Sequence, residues 1–270
     1  MQSVLDVGCG VGHWGQLLAR ILPETAQLTG VDREASSLLK ASERAKSQGL
    51  SSRFYYGPGD AMALPFPKDS FDLVTCQTLL IHLSDPKAGL DEMWRVLKPG
   101  GLLFIAEPNN LANLTVANSL TPSLSVDEVM DRLKFGLLLE RGKKKLGLGF
   151  NSEGDLIPGY LTQLRTNEIQ VFLSDKAVPF FPPYSSDEQK ANIRQWTAWL
   201  KREFLGWDRE EMKGYFLAGG GELERFEYYW QQGLQDAKAV IAAVEAGTYH
   251  SAGGAITYLI SGRKPKDEVS

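Results

Sequence analysis

Over the first hundred residues, short apolar runs alternate with stretches whose apolar positions recur every three or four residues, and the loops between them are brief. Alternating strand and helix periods are what a doubly wound α/β sheet requires. Residues 3–8, 27–31, 53–56, 71–76 and 102–107 read as strands. The fourth of these, Phe-Asp-Leu-Val-Thr-Cys, is mostly apolar, as a strand buried on both faces needs to be. Between the strands, Trp14, Leu17, Leu18 and Ile21 mark one apolar helix face, and Leu90, Met93, Trp94 and Leu97 mark another. A helix from about residue 34 stops at Gly49, and the later one stops at Lys98-Pro99-Gly100-Gly101, where proline and glycine forbid continuation.

The rhythm then breaks, so residues 1–108 form one α/β core and 109–153 a first insertion. Ser125 with Glu128 announces a helix with apolar positions Val126, Val129, Met130, Leu133 and Leu137. A Gly/Lys loop follows, and its basic run Arg141, Lys143, Lys144, Lys145 reads as solvated. Residues 154–178 continue the core with a helix near 155–164 and a strand at 169–178. A second insertion, 179–252, reads as two helices. One is capped by Ser186 with Gln189, and the longer carries Leu223, Phe226, Trp230, Leu234, Ala237, Ile241 and Val244 on one side. The last core strand falls in 253–263, at about 255–261, and a charged tail, 264–270, is expected to be disordered.

Composition narrows the function class. Hydrophobic residues make up 43% of the 270, ordinary for a globular chain, and the net charge of −4 argues against a sequence-independent grip on nucleic acid. The two cysteines, Cys9 and Cys76, have neither CxxC nor other metal-ligand spacing, so no metal is expected, and they read as small buried residues in a reducing compartment. No run approaches the length of a membrane span, and the apolar segment at residues 4–7 lacks a basic leader; a cytoplasmic protein without a membrane partner is the expectation.

The chemistry concentrates in Val4-Leu5-Asp6-Val7-Gly8-Cys9-Gly10-Val11-Gly12, an apolar strand running into three glycines spaced two apart. Glycine permits backbone dihedrals a side chain forbids and lets a ligand approach bare main chain. A dinucleotide fingerprint, GxGxxG, is the obvious rival, but its third glycine position is His13 here, and Asp6 replaces the usual apolar residue before the turn. Asp32, at the tip of the second strand, can accept hydrogen bonds from both hydroxyls of a ribose. The site is therefore read as one for a nucleoside, in a register that disfavours NAD.

These motifs, together with Val31-Asp32, Gly59-Asp60-Ala61, Phe71-Asp72-Leu73-Val74 and Arg95-Val96-Leu97-Lys98-Pro99-Gly100-Gly101, resemble the class I S-adenosylmethionine-dependent methyltransferases, in particular the type 11-like branch that acts on small molecules. The resemblance covers residues 3–108 closely. It implies a Rossmann-like seven-stranded sheet with its last strand antiparallel, and S-adenosyl-L-methionine as cofactor. It also implies that Gly8, Gly10 and Gly12 face the methionine part while Asp6 orders the turn. Asp32 would bind the ribose, Asp60 the adenine amino group, Ala61 the ring through its N–H, and Gln77 the methionine end through its carbonyl. Phe54, Tyr56 and Met62 are either a wall against the adenine or core packing. Such sequences usually place a helix ahead of the first strand, and no residues are available here to build it; either the sequence is a piece of a longer one or another segment does that covering.

Both insertions depart from the edge where the family binds its cofactor, so they are expected to form a helical cap over it and not a separate domain. The cap is rich in aromatics, among them Trp196, Trp199, Trp207, Tyr215, Phe216, Phe226, Tyr228, Tyr229 and Trp230. These form either the cap's own core or the lining of an enclosed pocket, which would suit a small organic acceptor better than a macromolecule. A base is needed only for a protonated acceptor, and the candidates are His82, Glu107 and His250. Two rival functions are a cofactor-binding regulatory protein without turnover and, with less support, a nicotinamide oxidoreductase.

Overall fold

The computed structural model of the chain describes residues 1–174, 177–253 and 255–266. It contains two compact units: Met1–Asn109 with Ser152–Ser174 and the segment from Thr257, and Asn110–Asn151 with Asp175–Ile256.

The first unit is α/β. Its strands are β1 (Ser3–Val7), β2 (Gln27–Asp32), β3 (Phe54–Pro58), β4 (Phe71–Gln77), β5 (Leu97–Pro108), β6 (Asn167–Leu173) and β7 (Thr257–Arg263), and its helices are α1 (His13–Leu18), α2 (Ala35–Ser47), α3 (Pro86–Val96) and α6 (Ile157–Gln163). Among the described residues the strands form one sheet in the order β3-β2-β1-β4-β5-β7-β6. β1 to β5 pair in parallel, and β7 runs antiparallel between β5 and β6. The order reverses between β1 and β4, the place where open α/β sheets leave a crevice at their carboxyl edge. One face buries Leu5, Val7, Val74, Leu103 and Ile105 with Leu90 and Met93 of α3 and Ile157 and Leu161 of α6. The other face packs Val4, Leu28 and Leu73 with Ala19.

Asp72 staples this sheet. Its carboxylate accepts the N–H groups of Gln2 and Ser3 at 2.7 and 3.0 Å and pairs with Lys98 Nζ at 2.8 Å. Partial burial pushes its pKa upward, but the hydrogen bonds from Lys98, Gln2 and Ser3 prevail and hold the carboxyl well below the usual range.

Local departures from the sequence reading have identifiable causes. α1 lasts six residues, so Leu17 and Ile21 are exposed instead of completing an apolar face. Beyond the helix, the Arg53 guanidinium takes the carbonyls of Ala19, Pro23 and Ala26 and fixes the chain in a turn. α3 ends at Val96, and β5 begins at once because Leu97 pairs with Phe71; Lys98-Pro99-Gly100-Gly101 is an irregular strand segment with a register shift, not a helix stop in a loop. The tail is ordered at its start. Lys264 exchanges backbone hydrogen bonds with Gly100 and Gly101, and its Nζ reaches Asp69 Oδ1 at 2.8 Å. Residues 267–270 lie outside the described residues. β6 ends at Leu173, short of the expected residue 178, and is exposed along nearly its whole length; residues 175–176 of that expectation also lie outside.

The second unit is helical: α4 (Asn110–Asn113), α5 (Val126–Lys145), α7 (Asp187–Lys201), α8 (Arg209–Ala218) and α9 (Leu223–Glu245). The segment after residue 179 thus holds three helices where two were expected, because Arg209–Ala218 is a helix of its own. Both capping boxes form, Ser125 with Glu128 and Ser186 with Gln189. Of the five apolar positions expected on α5, Val129 and Leu133 are half-buried, but the helix's fully buried positions lie elsewhere. Val126, Met130 and Leu137 are exposed, and Leu139, Glu140, Gly142 and Lys143 are buried. Backbone proximity decides this: a Cβ on Gly142 would strike the carbonyl of Tyr215, and one on Gly219 the carbonyl of Leu138. Only the glycine side of α5 admits α8 so closely. The basic run is accordingly the last turn of a helix, not a loop, and Lys143 is buried with its Nζ on Asn151 Oδ1.

Most of the aromatics form this unit's own core. Phe216, Phe226 and Trp230 are fully buried with Leu139, Met212, Tyr215, Tyr229 and Leu234. A second cluster joins Phe180, Tyr184, Val244 and Tyr249, with Trp196 against it.

Candidate functional site

The carboxyl edge of β1 builds the candidate site. Val7 stands opposite Val31 on one side and Cys76 on the other, so the turn beginning at Gly8 lies between the ends of β2 and β4. Gly8, Gly10 and Gly12 all adopt left-handed backbone, with φ of 65°, 51° and 75°. They are glycine for different reasons. A Cβ on Gly8 would come within 2.5 Å of Leu79 Cδ1, one on Gly12 within 2.7 Å of Tyr56 Oη, and one on Gly10 would meet nothing within 4 Å. Gly10 alone presents bare backbone to open space.

Two carboxylates shape the turn. Asp32 accepts the Gly10 N–H at 2.8 Å through one oxygen and the Glu34 N–H at 2.9 Å through the other. Asp6, buried beneath the turn, accepts the Gly15 N–H at 3.0 Å, while its Oδ1 has no partner among the described residues. Burial raises the Asp6 pKa to about 7; the Gly15 hydrogen bond opposes this, and the negative field of Asp32 adds to it. The Asp32 carboxylate makes a region of negative potential at the head of α1, suited to a ligand with a cationic centre.

The loop after β3 continues the edge. Gly59 donates its N–H to the Asp32 carbonyl at 3.1 Å, which brings the next residues beside β2. Exposed Asp60 closes a tight turn by accepting the Met62 N–H at 2.9 Å, and Ala61 is buried behind it. Phe54 and Tyr56 stack with centroids 5.5 Å apart; Phe54 packs against the Val4 cluster, while Tyr56 holds Gln16 at 3.0 Å. Gln77 ends β4 and is exposed. Thr78 beside it has φ of 53°, a strained value for a β-branched residue of the kind that collects at functional sites.

The three candidate bases stand in different surroundings. His82 ends a 3-10 turn at Leu80–His82 and is exposed. Glu107 is fully buried, and its Oε1 accepts the N–H groups of Leu79 and Leu80 at 2.7 and 2.8 Å. Burial raises its pKa to about 7, partly offset by those N–H donors. His250 is exposed in the helical unit, with Nδ1 3.3 Å from the Thr248 carbonyl.

The α/β unit therefore brings Asp6, Gly8, Gly10, Gly12, Asp32, Asp60, Ala61 and Gln77 to one edge. Three further contributors were not anticipated. Gly15 receives Asp6, and a Cβ there would lie 2.9 Å from Asp6 Oδ2; its place three residues after Gly12 was the available signal. Buried Gln16 ties α1 to Tyr56, to the Ala41 carbonyl, to Arg44 and to Gln48, and nothing in its spacing announces this. Thr78 gave no signal either. Among the described residues no cluster of three potential metal ligands occurs, and no helix is long and apolar enough to cross a membrane.

Comparison with known proteins addresses the same segment. A family model described as a methyltransferase domain matches residues 4–101. The methyltransferase GfsG of Streptomyces halstedii is 43% identical over 105 residues, 39% of this chain and 37% of that protein. The demethylmenaquinone methyltransferase of Lactiplantibacillus plantarum is 39% identical over 104 residues, 38% of this chain and 44% of that one. The chain thus spans well under half the length of these curated relatives. The solved structure of the YcgJ protein from Bacillus subtilis aligns with 98% of this chain and 93% of its own, with a TM-score of 0.54 and 21% identity, and shares the fold of this chain.

Proposed function

We propose that the chain binds S-adenosyl-L-methionine at the glycine edge and transfers its methyl group to a small organic acceptor. The observation that carries this reading is Asp32: its carboxylate closes on the Gly10 N–H at 2.8 Å beside a backbone position open to solvent, at the point where the sheet order reverses. The residues present fit the cofactor. Gly10 leaves room that a side chain would fill, and the remaining lone pairs of Asp32 are available to two ribose hydroxyls. Asp60 and Ala61 are suited to an adenine edge, and the Gln77 carbonyl to the methionine ammonium. The negative field of Asp32 favours a sulfonium.

When bound, the cofactor supplies an electrophilic methyl group on a good leaving group. The chain's own work is then alignment of the acceptor in line with that methyl and exclusion of water. His82 and His250 remain the candidate bases for an acceptor that starts protonated. Glu107 is assigned a different part: with one oxygen on two backbone N–H groups and no exposure, it is a positioning residue that holds the loop carrying Leu79 and Leu80. A nicotinamide reading is opposed by exposed His13, whose Nδ1 lies 2.9 Å from Arg44 where a dinucleotide turn needs glycine. We read the small acidic net charge as unsuited to a nucleic-acid acceptor, and the two free, buried cysteines as consistent with the cytoplasm.

Calorimetric titration with S-adenosylmethionine, S-adenosylhomocysteine and NAD tests the reading. The first two are expected to bind and NAD is not. Asp32→Ala should weaken binding about tenfold or more, the loss of one hydrogen bond to a charged group. Unaltered affinity in that variant overturns the site. Binding without methyl transfer to any small acceptor would favour the regulatory alternative.

A further inference from the structure

We propose that the outer face of α5, with the glycine loop that ends it, docks on the surface of an anionic phospholipid bilayer. At about 3.6 residues per turn, the exposed residues of α5 apart from Glu128 fall on one arc of about 100°. Three of them are large and apolar: Val126, Met130 and Leu137, exposed by 78%, 57% and 42%. Apolar side chains scattered singly over a surface need no explanation, but these form a line along one helix. The line continues past the helix end. Gly147, with φ of 73°, donates its N–H to the Lys144 carbonyl at 3.0 Å, and Leu148 donates to the Lys143 carbonyl at 3.1 Å. This left-handed glycine cap fixes the loop while Leu146 and Leu148 stand about half exposed. The residue in the place of Leu148 often packs back on its own helix; here it faces solvent instead.

The charges on the same arc select what covers this line. They are Lys134, Arg141, Lys144 and Lys145, with Asp127 as the one carboxylate. None of the four cations is in an ion pair among the described residues, although Lys144 Nζ lies 5.2 Å from the centre of the Phe150 ring. Asp131, at the edge of the arc, is already answered by Arg225 at 3.3 Å. The chain as a whole carries a net charge of −4, so this positive face is local. An apolar line flanked by unneutralised cations suits a helix lying in a bilayer interface. Valine, methionine and leucine enter the acyl boundary there, while lysine and arginine extend to lipid phosphates. A second copy fits poorly, because it would bring the same four cations against these with only Asp127 to answer them. Single-stranded nucleic acid would use the charges but leave the aliphatic line uncovered, and the arc holds no aromatic ring for a base to stack on. The contact is with the bilayer surface alone, since among the described residues no helix is long and apolar enough to cross a membrane.

The face stands on the helical unit's own residues and does not depend on the methyl-transfer reading. Co-sedimentation of the full chain with vesicles tests it. Vesicles of phosphatidylcholine with an equal part of phosphatidylglycerol should retain the chain, vesicles of phosphatidylcholine alone should not, and added salt should weaken the retention. Lys144→Glu together with Lys145→Glu should weaken binding about tenfold or more. Leu146→Ser together with Leu148→Ser leaves the charge unchanged and should also weaken it about tenfold. Met130→Ser together with Leu137→Ser should weaken it several-fold. All six positions are exposed, and wild-type urea midpoints in these variants separate lost binding from lost folding. Asp32→Ala should bind vesicles as the wild type does while it loses cofactor affinity, so the two readings fail separately. Equal retention by both kinds of vesicle, or by neither, overturns the proposal. So does wild-type binding in both the lysine and the leucine variants, or binding to polyuridylate that is tighter than to the anionic vesicles. A dimer in lipid-free solution that dissociates on Met130→Ser with Leu137→Ser would assign the face to a second copy and overturn it as well.

Discussion

Both units contain ion pairs, but they differ in how far their carboxylates also serve the main chain. In the α/β unit, Asp6, Asp32, Asp60, Asp72, Asp85 and Glu107 all accept main-chain N–H groups, so each carboxylate fixes the course of a loop or a helix start. In the helical unit the charges mostly meet one another. Arg132 pairs with Asp236, Arg225 with Asp131, and Arg209 with Glu227, tying α9 to α5 and α8. A carboxylate on the backbone makes a binding edge whose shape does not depend on distant side chains. Paired side chains hold helices side by side and leave the space between them to be shaped by packing, which is where a cavity of about 410 Å³ lies.

The largest expected effect comes from the closest packing of the helical unit. At Gly142 the obstacle is the Tyr215 carbonyl, and backbone cannot turn aside as a side-chain end can. Gly142→Ala should cost about 4 kcal/mol or more, above the usual range for overpacking. Urea unfolding followed by tryptophan fluorescence checks this, since Trp196, Trp199, Trp207 and Trp230 all belong to this unit. A wild-type midpoint would mean that α5 and α8 do not approach as closely as described.

The next effect belongs to the α/β unit and is a pH dependence. Asp6 and Glu107 have pKa values raised by burial to about 7 in the folded chain, from ordinary values of 3.8 and 4.5. A folded state that binds the proton more tightly gains stability at low pH. That gain is fully present below about pH 4, falls as the pH rises through the interval to about 7, and is gone above it. Each tenfold gain in proton affinity is worth about 1.4 kcal/mol, so each group contributes roughly 3–4 kcal/mol across this window. Asp72 acts with the opposite sign: its depressed pKa gives stability that is present at neutral pH and lost as the medium is acidified below the ordinary carboxylate range. Asp6→Asn and Glu107→Gln should each flatten the decline between pH 4 and 7 in denaturant midpoints. An unchanged slope in both variants would refute the burial-driven rise in both pKa values.

How much of each unit could be read from the sequence follows from the same contrast. Strands β1 to β4 and the places of Asp6 before the glycine turn and Asp32 at the tip of β2 were legible because their partners lie within a short motif or at a neighbouring strand tip. Arg132 and Asp236 are 104 residues apart, with no local spacing to announce them. The capping boxes at Ser125 and Ser186 were legible in the otherwise obscure helical unit, again because a cap is local. What failed was the facing of α5. Periodicity marked Val126, Val129, Met130, Leu133 and Leu137, of which Val129 and Leu133 are half-buried and the other three exposed, because Gly142 admits α8 on another side and a single glycine outweighs an apolar pattern when it sets the distance of approach. Glu107 was legible as a carboxylate at a strand tip. That its neighbours would bury it and direct it to the Leu79 and Leu80 N–H groups was not.

The smallest effect tests that failure directly. If glycine packing sets the face of α5, the residues that periodicity favoured should be nearly silent on substitution. Met130 is 57% exposed, and Met130→Ser should alter stability by no more than about 0.5 kcal/mol, as for an ordinary surface position. Leu139, 6% exposed, packs with Met212, Phe216 and Trp230, so Leu139→Ala should be felt. Because Leu139 already borders a cavity, its loss should fall at the low end for a core leucine, about 2 kcal/mol. The difference between the two variants, read from urea midpoints at equal m-values, is what matters. Equal costs would mean that α5 presents a broader face to its neighbours than the glycine contact allows, and would return the apolar stripe to the core.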